Sequence, residues 1–170
     1  MRRVLDALYD AAAWLAALMM VGVLAMVLLS IAGRQLHFHL PGTDAYAGYL
    51  MAGSGFLALA HTLKRGEHIR VTLLLQALKG TPRRAMELWS LSVAGLLAIA
   101  FAFYAIKLAW QSHAFNDVST SNDATPLWIP QIAMAVGAVL LAVALIDDWV
   151  LALRGRTVER APDAEPLRNE

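Results

Sequence analysis

Four transmembrane helices, with an additional interfacial amphipathic helix between the second and third and both termini cytoplasmic, make an all-α membrane protein the expected architecture of this chain. The first reason is composition. Of 170 residues, 59% are hydrophobic and 16% are charged, against roughly half and about a quarter in soluble domains. The second is segregation, since the apolar residues fall in four blocks of about twenty, the length that crosses a hydrocarbon core. The third is the placement of the basic residues. The N-terminal Arg2 and Arg3, the segment holding Lys64, Arg65, Arg70, Lys79, Arg83 and Arg84, and the tail with Arg154, Arg156, Arg160 and Arg168 alternate with loops that carry only Arg34. Lys and Arg are retained on the cytoplasmic side, so those three segments and both termini are expected there. A water-soluble globule is excluded, and so is an enzyme with a separate large substrate domain. With no cysteine, thiol chemistry and disulfides are excluded as well.

The first span is expected over residues 11–31. Arg2 and Arg3 precede it as in a signal peptide, but about twenty apolar residues exceed a signal's apolar region, so an uncleaved helix is expected. The second span is placed at 45–63. Gly48, Ala52 and Gly55 recur there at helical spacing, as do Ala133 and Gly137 in the last span. Small residues on one face let helix backbones approach closely, within the chain or against a partner.

Between the second and third spans, Val71, Leu74, Leu75 and Leu78 follow i, i+3, i+4, i+7 spacing, so an amphipathic helix is expected over 69–79. About ten residues cannot cross a bilayer, and such a helix lies in the interface or docks on a partner. Thr81 and Pro82 then suit the start of the next helix. The third span, 88–110, carries Trp89 and Trp110, and the fourth, 128–151, carries Trp128 and Trp149. Both pairs span about 31 Å at 1.5 Å per residue, which suits two interfacial belts. Lys107 lies near the outer end of its span and can snorkel. Residues 1–154 thus form one transmembrane domain, and 155–170, charged and holding Pro162 and Pro166, a disordered cytoplasmic tail.

The polar residues do not assemble a reaction centre. A haem held between helices needs two histidines at similar depth, but His61 and His68 fall at the cytoplasmic end and His37, His39 and His113 outside. Ser54 in Gly53-Ser54-Gly55 has only His61, two turns away, as a base. Asp147 and Asp148 at the end of the last span are expected to be solvated or paired with Arg154. No span carries a carboxylate near its midpoint, where a self-sufficient transporter binds its ion. No catalytic residue, metal site or cofactor is expected, and no nucleic-acid partner.

Gly33-Arg34, the loop Leu40-Pro41-Gly42-Thr43-Asp44, the run Leu63-Lys64-Arg65-Gly66-Glu67-His68-Ile69-Arg70-Val71, and Pro126-Leu127-Trp128-Ile129-Pro130 resemble the small permease subunit of TRAP transporters, the tripartite ATP-independent periplasmic uptake systems. The likeness covers residues 11–151. Gly42-Thr43-Asp44 departs from the Trp-x-Glu of many members. The resemblance implies an inner-membrane accessory subunit, not an enzyme. It would brace a large permease subunit, a separate chain here, for sodium-coupled uptake of an organic anion delivered by a periplasmic binding protein. A haem-carrying membrane anchor is the alternative. By position Arg34, Asp44, Gly66, His68 and Arg70 match recurrent places of the family. With Gly48, Ala52 and Gly55 they are the candidate contacts to the large subunit or to membrane lipids. Arg34 and Asp44 flank one short loop, either to pair, to meet the binding protein or, for Arg34, to anchor on headgroups.

Overall fold

The computed structural model describes residues 2–38, 40–65 and 81–154. Four helices account for most of them: α1 (Arg2–Gln35), α2 (Thr43–Arg65), α3 (Thr81–Ala114) and α4 (Trp128–Leu153). The interfacial helix expected at 69–79, and with it Gly66, His68 and Arg70, lies outside the described residues, as do His39 and the tail 155–170. Three helices, α1, α3 and α4, are long and apolar enough to cross a membrane. The second, α2, has 23 residues, about 35 Å of helix, but more polar side chains and glycines.

The boundaries have local causes. Two helices end in Schellman turns, in which a left-handed residue follows the helix and the next amide reaches back five residues. At the end of α1, His37 has φ 58° and the Phe38 amide donates to the Gly33 carbonyl at 3.0 Å. A Cβ at Gly33 would sit 2.9 Å from the Phe38 carbonyl oxygen, so only glycine lets the chain fold back this tightly. At the end of α3, Asn116 has φ 53° while Asp117 and Asn116 donate to Ser112 and His113 at 2.9 and 3.3 Å. Asp44 stands in the first turn of α2 and Lys64 and Arg65 in its last, each sign matched to the helix dipole. Pro82 and Pro130 fall in the opening turns of α3 and α4, where a missing N–H leaves no bond unmade.

Neighbours in space follow the order α1, α2, α4, α3. Along α1 the residues turned inward (Leu5, Tyr9, Ala12, Ala16, Met19, Val23, Met26, Ser30 and Gly33) follow the alternating three- and four-residue steps of a coiled-coil seam. Helix α2 runs antiparallel along this seam. It pairs with α1 near residues 6 and 10 at one end and residue 30 at the other. Helices α3 and α4 are likewise antiparallel over their length, joined by Arg84 to the Leu153 carbonyl, Trp149 to Ser92, and the His113 ring against Trp128.

The core between them is mostly alanine: Ala60, Ala98, Ala102, Ala105, Ala138 and Ala142 are among the buried residues. Small side chains allow the dispersion contact on which helix association in lipid depends. Large apolar side chains point outward instead, Trp14 on α1 being 79% and Trp110 on α3 76% exposed. That pattern inverts the one seen in water and fits helices solvated by lipid or covered by protein.

Candidate subunit interface and loop-end polar cluster

At one end of the molecule, the loop end, the α1–α2 and α3–α4 connections meet. Arg34 and Asp44 come together there, but not as an ion pair. The Arg34 guanidinium reaches the Ser30 hydroxyl at 3.4 Å, and that hydroxyl donates to Asp44 Oδ1 at 3.3 Å. Ser30, on the seam of α1, therefore stands between the two charges. Among the described residues, neither has a direct partner of opposite charge.

The α3–α4 connection is a narrow turn-back. Ser119 donates to the Thr125 carbonyl at 2.8 Å and Leu127 to that of Asp117 at 3.0 Å. It is fastened to the start of α2 by two tyrosines: the Tyr49 hydroxyl donates to Asp123 Oδ2 at 3.1 Å, and the Tyr46 and Thr125 hydroxyls are hydrogen-bonded to each other at 3.0 Å. The Thr125 hydroxyl, then those of Ser119 and Tyr49, hold the Asp123 carboxyl below the ordinary carboxylate value against a desolvation that opposes them. Gly42 closes the assembly. Its φ is +84°, and a Cβ would lie 2.7 Å from the Cβ of Asp123. The loop motif Leu40–Asp44 marked this region in the sequence. The contact eighty residues away that demands glycine carried no signal there.

The small residues of α2 divide into two faces. Gly53 packs inward, where a Cβ would meet the Met19 sulfur at 2.7 Å and Ala133 at 3.3 Å. Across from it Gly137 lies so close to α2 that a Cβ would fall on the Phe56 carbonyl. These glycines make the α1–α2–α4 contact. Gly48 and Gly55 have nothing within 4 Å of an added Cβ, and Ala52 between them is exposed. The three form an outward stripe on the helix at the middle of the row.

The opposite, terminal end holds contacts that sequence reasoning missed. Lys64 pairs with Asp6 at 2.6 Å and lies 5.7 Å from the Tyr9 ring centroid, and His61 Nδ1 lies 3.5 Å from Asp10. The acids are four apart on α1 and the bases three apart on α2, the spacing by which two antiparallel faces match. Partly exposed pairs contribute about 0–1 kcal/mol each, so they set register more than stability. Asp148, expected to be solvated or paired with Arg154, is fully buried, which removes the solvated alternative. It falls on the α4 face turned toward the alanine core, whereas Arg154 is exposed.

Ser54 is buried and donates to the Met51 carbonyl at 2.9 Å, as a helix hydroxyl commonly does. His37 terminates α1, while His61 and His113 stand at opposite ends of the helices, so the described histidines do not form the facing pair a haem needs. The indole N–H of Trp149 is taken by Ser92 at 2.8 Å; Trp89 and Trp110 are exposed.

The family model described as "Tripartite ATP-independent periplasmic transporters, DctQ component" matches residues 23–155. That range takes in the loop-end cluster, both glycine faces and the whole of α2, α3 and α4. No curated protein matches the chain.

Proposed function

This chain belongs to the DctQ family, the small permease component of tripartite ATP-independent periplasmic (TRAP) transporters, and we propose that it braces the large permease subunit of such a transporter. Its task is to hold part of that subunit fixed in the inner membrane while another part moves the solute. The transport is sodium-coupled uptake of an organic anion handed over by a periplasmic binding protein.

The observation that carries this reading is the outward stripe of Gly48, Ala52 and Gly55. It lies on a helix in the middle of the row and is not used for packing within the chain. A helix of the large subunit laid there approaches backbone to backbone. Other observations support the same reading. Large apolar side chains remain exposed on α1 and α3, as expected of a subunit that meets lipid and protein rather than water. Helix α2 accompanies α1 from Asp6 to Ser30, about 36 Å of helix, so it too crosses the membrane if α1 does. Among the described residues, Arg2, Arg3, Lys64, Arg65, Arg83, Arg84 and Arg154 then belong to the terminal end, which faces the cytoplasm, and the loop end faces the periplasm.

The test is purification of the tagged chain from its native membrane in mild detergent. A large polytopic partner is expected at equal stoichiometry. Gly55→Leu, at normal abundance, should lose that partner and lower uptake at least tenfold, the loss of roughly 1.4 kcal/mol or more of contact. His37→Ala should leave both unchanged. Undiminished uptake with Gly55→Leu would overturn the stripe as the interface.

A further inference from the structure

The loop end contains a cavity of about 580 Å³ between the end of α1, the start of α2 and the α3–α4 turn-back. Its polar wall is built from Ser30, Arg34, His37, Asp44, Ser121 and Asn122. We propose that this cavity binds the headgroup of a phosphoethanolamine phospholipid, with the phosphate on Arg34 and the ammonium on Asp44.

Three features lead there. The first is an opposite pair of charges held apart. Arg34 and Asp44 share the Ser30 hydroxyl at 3.4 and 3.3 Å rather than each other, so a cation and an anion face one cavity with hydrogen-bonding capacity to spare. A guanidinium offers five donors in a fork that fits phosphate, and a carboxylate accepts several donors. A ligand with a negative and a positive group satisfies both at once, whereas a simple anion would meet Asp44 and a simple cation Arg34. The second feature is level. Leu29, Phe38 and Leu40 also line the cavity and are exposed, and Leu28 and Ile31 stand exposed beside it on α1. Polar wall and apolar rim therefore meet where a membrane-crossing α1 leaves hydrocarbon for headgroups, which favours a lipid over a protein surface. The third is construction. The α1 side is set by the Schellman turn at His37. The side toward the turn-back is set by Gly42 packed on Asp123, so the space is shaped by fixed backbone.

Phosphoethanolamine differs from phosphoglycerol and phosphocholine in the cation that Asp44 reads. Phosphoglycerol has no cation for Asp44. Phosphocholine has a quaternary nitrogen with no N–H to donate.

The experiment measures lipid retained by the purified complex after delipidation and reconstitution into nanodiscs with equal parts phosphatidylethanolamine, phosphatidylglycerol and phosphatidylcholine. Native mass spectrometry reads the bound lipid. The wild type should retain phosphatidylethanolamine several-fold over the other two. Asp44→Asn should abolish that preference, and Arg34→Gln should lower retention of phosphatidylethanolamine itself about tenfold, the worth of one charge-assisted contact. Ser92→Ala, far from the cavity, should leave it intact. Equal retention of the three lipids by the wild type would overturn the proposal, as would an unchanged preference with Asp44→Asn or undiminished retention with Arg34→Gln. Retention of phosphatidylglycerol that falls with Arg34→Gln but not with Asp44→Asn would mark an anion site instead and also overturn it. Glycerophosphoethanolamine added as a soluble competitor separates the two sources of this chemistry. Failure to displace the lipid supports the membrane, whereas displacement at micromolar concentration would assign the cavity to a soluble ligand. Unaltered circular dichroism of each variant establishes that the reading is made on folded protein, and co-purification of the large subunit is scored separately.

Discussion

Gly42 shows how much a single residue carries at the loop end. Its φ of +84° alone disfavours any side chain, at about 1–2 kcal/mol, and the 2.7 Å approach to Asp123 adds a clash with backbone-anchored atoms. Gly42→Ala should therefore lower the melting temperature in detergent by several degrees and reduce amide protection at Ser119 and Leu127, whose hydrogen bonds close the turn-back. Gly48→Ala, at an open helical position, should leave both unchanged or slightly improved. Asp123 adds a pH dependence of definite sign. Its folded value lies below the ordinary 3.8, so its contribution is fully present above that value and is lost as pH falls through the lower folded one. Protection factors at Ser119 and Leu127 should hold from about pH 7 to about pH 5 and drop only below 3.8. Asp123→Asn should remove that acid limb. Neither residue's role was legible beforehand. The motif around Gly42 was visible, but the reason for it is a contact with Asp123, a residue far along the chain.

Among the elements, α2 separates what pattern reveals from what only packing reveals. Glycine and alanine at three- and four-residue spacing marked it as a close-contact helix, but its close contact falls at Gly53, which that spacing did not name, beside Ala133 and one turn from Gly137. The same spacing put Gly48, Ala52 and Gly55 forward, and the structure leaves those three open. Periodicity identifies a face; it does not say which neighbour covers it. The inner pairs Asp6–Lys64 and Asp10–His61 escaped notice for a related reason. Lys64 already had a sufficient explanation in the distribution of basic residues, and the first turns of α1 lay before the apolar block from which the span was drawn. The two glycine faces make a discriminating prediction. Gly137→Ala drives a methyl into the Phe56 carbonyl, and with no flexible side chain to yield, the α2–α4 contact must open, at about 3 kcal/mol, the upper end for overpacked cores. The isolated chain should then lose its cooperative thermal transition in detergent. Gly55→Leu should keep that transition within a degree or two of wild type and fail only when the large subunit is scored. If both substitutions unfolded the isolated chain alike, the division of α2 into an inner and an outer face would be wrong.

For the molecule as a whole, the path through the membrane turns on α2. Length and hydropathy select only α1, α3 and α4 as spans. Were those three the only crossings, α1 would leave the cytoplasm, α3 would return and α4 would leave again. The α3–α4 turn-back would then be cytoplasmic and Arg154 periplasmic. The contacts argue otherwise. Tyr46 and Tyr49 at the start of α2 hold the turn-back through Thr125 and Asp123, and Asp44 in that same turn reaches Ser30 near the end of α1. The proposed reading therefore puts the turn-back on the side of the membrane where α1 ends, with an even number of crossings between them and α2 as the additional one. Its weaker hydropathy follows from its position in the row: packed by α1 on one flank and α4 on the other, it has less surface to present to lipid and can carry Ser54, Thr62 and several glycines. The absence of cysteine makes the test direct, since any introduced thiol is the only one in the chain. Ser121→Cys should react with a membrane-impermeant maleimide in intact cells, and Arg154→Cys only after permeabilisation. The reverse pattern at both positions would overturn the proposed path through the membrane and detach the loop-end cavity from the periplasmic headgroup layer.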